Sequence, residues 1–294
     1  MAVMRRQVLK GGFALTVVGL AGRGRAAGGE LTIVSDGRLT LPEAMLIGDA
    51  PRAVLDAAVA ASGIAGLDPL MPPCNLTLLR MDDRIVLFDA GGGPEFMPTT
   101  GEAPAALAAA GIGLDEITDV VMTHGHPDHL WGLLDDFGDP TFPEAVIHMP
   151  ETEMAYWSDP ATVDAIGAAR QSFAVGAARR LAELADRIDV FADDGAPVPG
   201  VTALPTFGHT PGHVSYLLPD GAVVIGDAVS NAHLALRDPG GAHANDQDPE
   251  RAARTRLDLL ARLADGGALA VGFHLPGATG RIVRDGDAYL WQPV

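Results

Sequence analysis

The sequence predicts an α/β fold in which two mixed β-sheets pack together with helices outside. Three observations carry that prediction. Apolar runs of strand length alternate with helical stretches in both halves of the chain. Neighbouring apolar runs separated by turn residues read as hairpins. No 20–50-residue repeat and no long Pro/Ser linker interrupts the chain, so residues 28–294 are expected to form a single domain. With 48 % hydrophobic and 20 % charged residues, the composition supports a large buried core.

Along the chain, Leu76–Leu79 and Ile85–Phe88 flank Met-Asp-Asp-Arg as a hairpin that stops at Asp89-Ala-Gly-Gly-Gly. Ala103–Ala110 is a short helix closed by Gly111, and Ile117–Met122 is a buried strand that delivers Thr123 to a sharp loop. A strand follows at Val146–Met149, then helical stretches at Glu151–Trp157 and Thr162–Ala185. Strands are predicted at Val201–Pro205, Val214–Leu218 and Val223–Ile225, the last two joined by a turn at Pro219-Asp-Gly. Pro249–Ala264 is helical with Leu257, Leu260 and Leu263 on one face, and Leu269–Val271 is a strand leading to His274.

Residues 1–27 read as an address and not as part of the fold. Basic residues around Arg5-Arg6 precede an apolar core from Gly11 to Ala21 and a small-residue end, the pattern of a twin-arginine export signal, with Met4 where Ser or Thr is usual. That core falls short of the roughly 20 residues that a membrane span needs, so the expectation is a periplasmic or secreted protein without a stable membrane span. The single cysteine, Cys74, allows no internal disulfide and reads as a small apolar packer. The net charge of −18 becomes more negative without this basic segment. Such a surface repels phosphate backbones, which excludes nucleic acid as partner and leaves a small molecule as the expected substrate.

The chemistry concentrates in Thr123-His124-Gly125-His126-Pro127-Asp128-His129, directly after a strand. Three imidazoles and a carboxylate this close are hard to place in a core, where each would need a partner. A His-x-His pair can aim both rings at one metal from a loop, and the Asp-His pair that follows can face a second. Histidine and aspartate suit Zn²⁺, although the residues alone leave Fe, Mn or Co open. Three further candidates stand at the ends of apolar runs: His213 in Gly-His-Thr-Pro-Gly-His, Asp227 in Ile-Gly-Asp, and His274 in Gly-Phe-His-Leu-Pro. Each alone has an ordinary structural reading. His209 and Asp246 are candidates to support the site by hydrogen bonds, and His148 reads as structural. The stretch 230–245, with His233 and His243, is a candidate substrate entrance, and Trp131, Phe137, Met154 and Phe207 are candidates for an apolar pocket wall.

The order His-x-His-x-Asp-His, then His, Asp and His, resembles the metallo-β-lactamase superfamily over Leu76 to Val294. The resemblance implies an αββα four-layer sandwich with two metal ions at one edge of the sheets. It would have His124, His126 and His213 hold the first metal, Asp128, His129 and His274 the second, and Asp227 bridge both. Within the superfamily the pattern is similar to glyoxalase II, acyl-homoserine lactonases and methyl parathion hydrolase. Likeness to the last rests on the tail: Asp246-Gln-Asp248-Pro-Glu, Arg254-x-Arg256-Leu, His274-Leu-Pro-Gly and Tyr289-x-Trp291-x-Pro293. The aromatic content of only 5 % departs from the aromatic-rich pocket of methyl parathion hydrolase. The implied activity is therefore hydrolysis of a lactone or carboxylic ester by a hydroxide bridging two Zn²⁺ ions, with phosphotriester hydrolysis second and β-lactam hydrolysis behind both. Asp227 would position the hydroxide and Asp128 would carry its proton. Dimers are common among the proteins it resembles, so a homodimer is expected on that ground alone.

Overall fold

The computed structural model describes residues 29–294, so the export signal read at 1–27 lies outside the described residues. The first half of the chain builds one sheet from β1 (Glu30–Arg38), β2 (Pro73–Arg80), β3 (Ile85–Phe88), β4 (Asp119–Val121), β5 (Val146–Pro150) and β6 (Ile188–Phe191), hydrogen-bonded in that order. The pairs β1/β2 and β2/β3 are antiparallel, and β3 to β6 run parallel. Parallel neighbours need long crossovers. Helices α1 (Glu43–Ile47) and α2 (Arg52–Ser62) lie between the antiparallel β1 and β2, while those crossovers carry α3 (Ala103–Ala109) between β3 and β4 and α4 (Pro127–Leu130) between β4 and β5. Then α5 (Glu151–Ser158), α6 (Thr162–Ala165) and α7 (Gln171–Glu183) connect β5 to β6.

The second half forms the other sheet from β7 (Thr202–Pro205), β8 (Val214–Leu217), β9 (Val223–Val224), β10 (Ala270–Val271), β11 (Thr279–Asp285) and β12 (Ala288–Pro293), again in chain order across the sheet. Among the described residues its one parallel pair, β9/β10, is joined through α8 (Leu234–Arg237) and α9 (Pro249–Gly266).

Side-chain alternation explains the layering. Val86, Phe88 and Val121 pack with Val214, Tyr216, Val224 and Val271 between the two sheets. Their sequence neighbours Leu87, Val120 and Met122 point the other way, against Leu107, Leu130, Trp157 and Leu181 from the outer helices. On the far side Val223, Ile225, Ile282 and Trp291 meet Leu259, Leu260 and Leu263 of α9. The chain is thus a four-layer α/β sandwich of the expected kind. No helix of the described residues is long and apolar enough to cross a membrane.

Three local expectations change. The helix expected over 162–185 is broken at Gly167, whose φ of 91° is left-handed, and resumes only as α7. Leu257 is 39 % exposed, because the buried stripe of α9 runs through Arg256, Leu259, Leu260 and Leu263. Phe137 is 89 % exposed at a loop tip, and Phe207 stacks under Arg251, so neither forms a pocket wall.

Candidate metal centre

The ends of β3, β4, β9 and β10, together with the β7–β8 loop, open at one end of the sandwich, and the chemistry-bearing side chains gather there. After β4 the chain turns through His124-Gly-His126 into α4. Gly125 allows this turn to lie flat, since a Cβ there would stand 2.4 Å from the Trp157 indole. His124 Nε2 and His126 Nδ1 are 3.0 Å apart, and His209 Nε2 lies 3.0 Å from the same His126 nitrogen. All three are buried. A tetrahedral ion with Zn–N bonds of about 2.0–2.1 Å would set its nitrogens roughly 3.3 Å apart, so the three imidazoles already form one face of such a cage.

Beside it stands a second group. Asp128 Oδ2 is 3.2 Å from His274 Nε2 and 3.5 Å from His129 Nε2. Asp227 faces both groups: Oδ1 is 3.4 Å from His129 Nε2, while Oδ2 is 3.4 Å from His274 Nε2 and 3.3 Å from His209 Nε2. His129 Nε2 and Asp227 Oδ1 are buried without a hydrogen-bond partner, an expensive state that a cation between them would relieve. The electrostatics agree. Burial drives His124 and His126 well below the usual imidazole range, so both stay neutral. Burial pulls His129 and His274 the same way, but Asp128, Asp89 and Asp227 outweigh it at His129, and Asp227 with Asp128 at His274, and hold both well above that range. In turn, against their own burial, these histidines hold Asp128 and Asp227 low. The carboxylates demand positive charge, and one group of nitrogens offers lone pairs. That donor set fits two divalent cations.

The sequence expectation placed His213 in the first group, whereas the structure sets His209 beside His124 and His126 and turns His213 to other partners. His213 Nδ1 contacts the Thr206 hydroxyl at 2.8 Å, and Nε2 accepts the Asp227 backbone N–H at 2.9 Å, leaving neither nitrogen free for a cation. Burial lowers this ring to about 3, so it is a neutral acceptor that holds Asp227 in place. His209, four residues earlier in the same Gly-His-Thr-Pro-Gly-His turn, supplies the third imidazole. The other six expected residues, His124, His126, Asp128, His129, Asp227 and His274, are brought together.

Every inward-facing histidine has its outer nitrogen fixed, as metal-binding imidazoles require. His124 Nδ1 lies 3.0 Å from the Thr123 hydroxyl, which donates to Asp89. His129 Nδ1–H donates to Asp89 at 2.8 Å, His209 Nδ1–H to Asp246 at 3.1 Å, and His274 Nδ1–H to the Pro73 carbonyl at 2.8 Å. The Gln247 side-chain amide lies 3.2 Å from His126 Nε2. Two supports have no signal in the motif itself. Glu153, fully buried, accepts from Gly125 N–H and Gly212 N–H and from the Thr210 hydroxyl and the Trp157 indole, tying the two histidine loops together. Asn75 donates to the carbonyls of Phe273 and Leu275 and fastens the His274 loop to β2. The only hint of Asp89 was the strand-ending Asp-Ala-Gly-Gly-Gly. Cys74 is buried beside His274 and Asp128, and burial pushes its thiol up to about 11. His148 is structural as expected, with Nε2 2.9 Å from buried Asp119.

A cleft leads to this centre. Its walls are Leu39, Leu41, Met45, Leu46, Phe96 and Phe173, with Arg170, Ser230, Asn231 and Asn245 as the polar side. The stretch 230–245 therefore contributes to the entrance at its two ends, while His233 is buried against Ser62.

The family model described as "Metallo-beta-lactamase superfamily" matches residues 71–266. No curated protein matches the chain. Among solved structures, the hydrolase AbOPH of the β-lactamase superfamily is 26 % identical, with 92 % of this chain and 96 % of that one covered and a TM-score of 0.81. AidC, a dizinc quorum-quenching lactonase in complex with a product, N-hexanoyl-L-homoserine, is 22 % identical, with 93 % and 97 % covered and a TM-score of 0.82. An N-acyl homoserine lactone hydrolase with its product at the catalytic metal centre is 19 % identical, with 85 % and 94 % covered and a TM-score of 0.60.

Proposed function

Because the chain belongs to the metallo-β-lactamase superfamily and is a metal-dependent hydrolase, we propose that it opens lactones or cleaves related carboxylic esters at a pair of zinc ions. One observation carries this reading: two ligand groups that share Asp227 sit at the foot of a cleft with an apolar wall that includes Leu39, Leu41, Met45 and Leu46. His124, His126 and His209 would hold one ion, Asp128, His129 and His274 the other, and Asp227 both. When bound, such a pair supplies hydroxide at neutral pH and polarises the carbonyl under attack. The chain's own residues do the rest. Leu39, Leu41, Met45 and Leu46 take the acyl chain and exclude water from it. Asp227 orients the attacking group between the two ligand sets, and Asp128, at the edge of the cleft, receives the proton and passes it to the leaving alkoxide. Neither step calls for a serine or cysteine nucleophile.

The discriminating experiment is a substrate panel of an aliphatic lactone, an aryl ester, an aryl phosphotriester and a β-lactam, with metal content measured on the same sample. Turnover of the phosphotriester alone would overturn the ranking. If Asp128 handles protons, Asp128→Asn lowers kcat by roughly 10²–10⁴-fold with KM little changed. Parallel losses of metal and activity would reduce it to a ligand. The N-terminal signal supports a further proposal, export by the twin-arginine route, which N-terminal sequencing of the mature protein from the periplasmic fraction would test.

A further inference from the structure

Arg256 projects from the buried face of α9, between the apolar stripe of Leu259, Leu260 and Leu263 and the loop before the helix, and is 2 % exposed. A guanidinium so placed is costly unless its donors are used. Both terminal nitrogens are used: NH2 donates to Asp246 Oδ2 at 2.5 Å, and NH1 lies 3.0 Å from His243 Nδ1 and within reach of the Gly241 and Pro239 carbonyls at 3.3 and 3.4 Å. Asp246, also buried, spends its other oxygen on His209 Nδ1–H. The backbone reinforces the link. Gln247 N–H donates to the His209 carbonyl and Asp248 N–H to the Gly208 carbonyl. At Gly208 (φ +130°) a Cβ would lie 2.2 Å from the Ala252 nitrogen, so α9 and the His209 turn meet backbone to backbone.

We propose that Arg256, acting through Asp246, is a positioning residue that fixes the ring and tautomer of His209 and so sets the affinity of one of the two cations without touching it. A carboxylate can only accept, so Asp246 obliges His209 to carry its proton on Nδ1 and to present the Nε2 lone pair beside His126 Nδ1 and Asp227 Oδ2. Arg256 holds one oxygen of the buried Asp246 carboxylate and so keeps the other turned towards His209. This rests on the binuclear reading of the site above.

The test uses the whole mature protein, stripped of metal and titrated with Zn²⁺ against a competing chelator. Wild type binds two equivalents, and His209→Ala removes one. Arg256→Met and Asp246→Asn each weaken that same equivalent by roughly 10–100-fold and leave the other within about threefold. In the Asp246→Asn background, adding Arg256→Met has little further effect, because the two residues act in series. Arg256→Lys keeps the charge but not the planar fork, gives an intermediate loss, and serves if the Met variant does not fold. The proposal is overturned if the Arg256 variants lower the melting temperature while both affinities stay at wild-type values, or if the losses in the double variant simply add. Fewer than two equivalents in wild type is a distinct result, which removes the binuclear reading and this inference together.

Discussion

Asp89 stands at φ 62°, a left-handed conformation that costs a residue with a side chain about 1–3 kcal/mol. The strain has a visible return: its carboxylate receives Thr123 N–H, the Thr123 hydroxyl and His129 Nδ1–H. Asn tolerates that backbone but brings no charge, so Asp89→Asn should fold and weaken metal binding by roughly 10–100-fold, as read by chelator competition. Unchanged affinity would show that Asp89 only shapes the loop. His209 and His213 make the sharper pair. His209→Gln should lose one metal equivalent. His213→Gln should keep both and instead lose about 1–3 kcal/mol of stability, through the Asp227 N–H left unpaired. Elemental analysis beside urea unfolding separates the two, and loss of an equivalent in the His213 variant would restore the sequence-based assignment. Both histidines sit in one turn, Gly-His-Thr-Pro-Gly-His, and nothing in their spacing says which ring faces the cavity and which faces the sheet.

At the scale of elements, α9 shows what local rules settle. Asp248 caps it by accepting Arg251 N–H, Pro249 follows at the first turn, and Gly267 ends it at φ 62°. Its start at Pro249 was therefore legible, whereas its end lies two residues past the expected Ala264 and its inner face was legible only in part. Leu260 is fully buried and Leu257 is not, since three residues advance a helix by about 300° and not a full turn. Leu260→Ala should cost about 2–5 kcal/mol, Asp248→Ala about 1, and Leu257→Ala less than about 0.5, in shifts of the urea midpoint. Equal costs at 257 and 260 would contradict the packing. The hairpin of β2 and β3 was readable from two apolar runs and a polar turn. β1 was not, because its residues 30–38 follow a segment set aside as an address and include Asp36, a buried carboxylate that accepts from Gly92, Gly101 and Ala103 N–H.

For the molecule as a whole, the site lies where the two sheets meet: Asp89 and residues 123–129 come from the first half of the chain, and His209, Asp227 and His274 from the second. Buried neutral histidines around it give stability a pH dependence. His243 accepts from Arg256 and donates to the Asp238 carbonyl, a pattern open only to the neutral ring, and burial together with that guanidinium lowers it from 6.5 to about 4. Between these values the unfolded chain binds the proton and the folded chain does not. The His243 contribution is therefore complete above pH 6.5 and shrinks as pH falls towards 4, by about 3 kcal/mol in all. His243→Gln should flatten the slope of stability against pH in that window, measured by urea unfolding of metal-free protein. An unaltered slope would assign the acid sensitivity elsewhere.

The fold class, the family pattern and six of the seven side chains that gather at one end of the sandwich were legible in the residues alone, because motif order and strand-ending position are properties of the chain. Which of His209 and His213 stands beside His126, and the hydrogen bonds made by Asp89, Glu153, Asn75 and Arg256, appear only in the folded chain. Those choices depend on distances between segments far apart in the chain: Glu153 reaches across to the turn at 210–212, and Asn75 to the loop at 272–275. Local propensity carries no information about such contacts, because they exist only once the two sheets have packed.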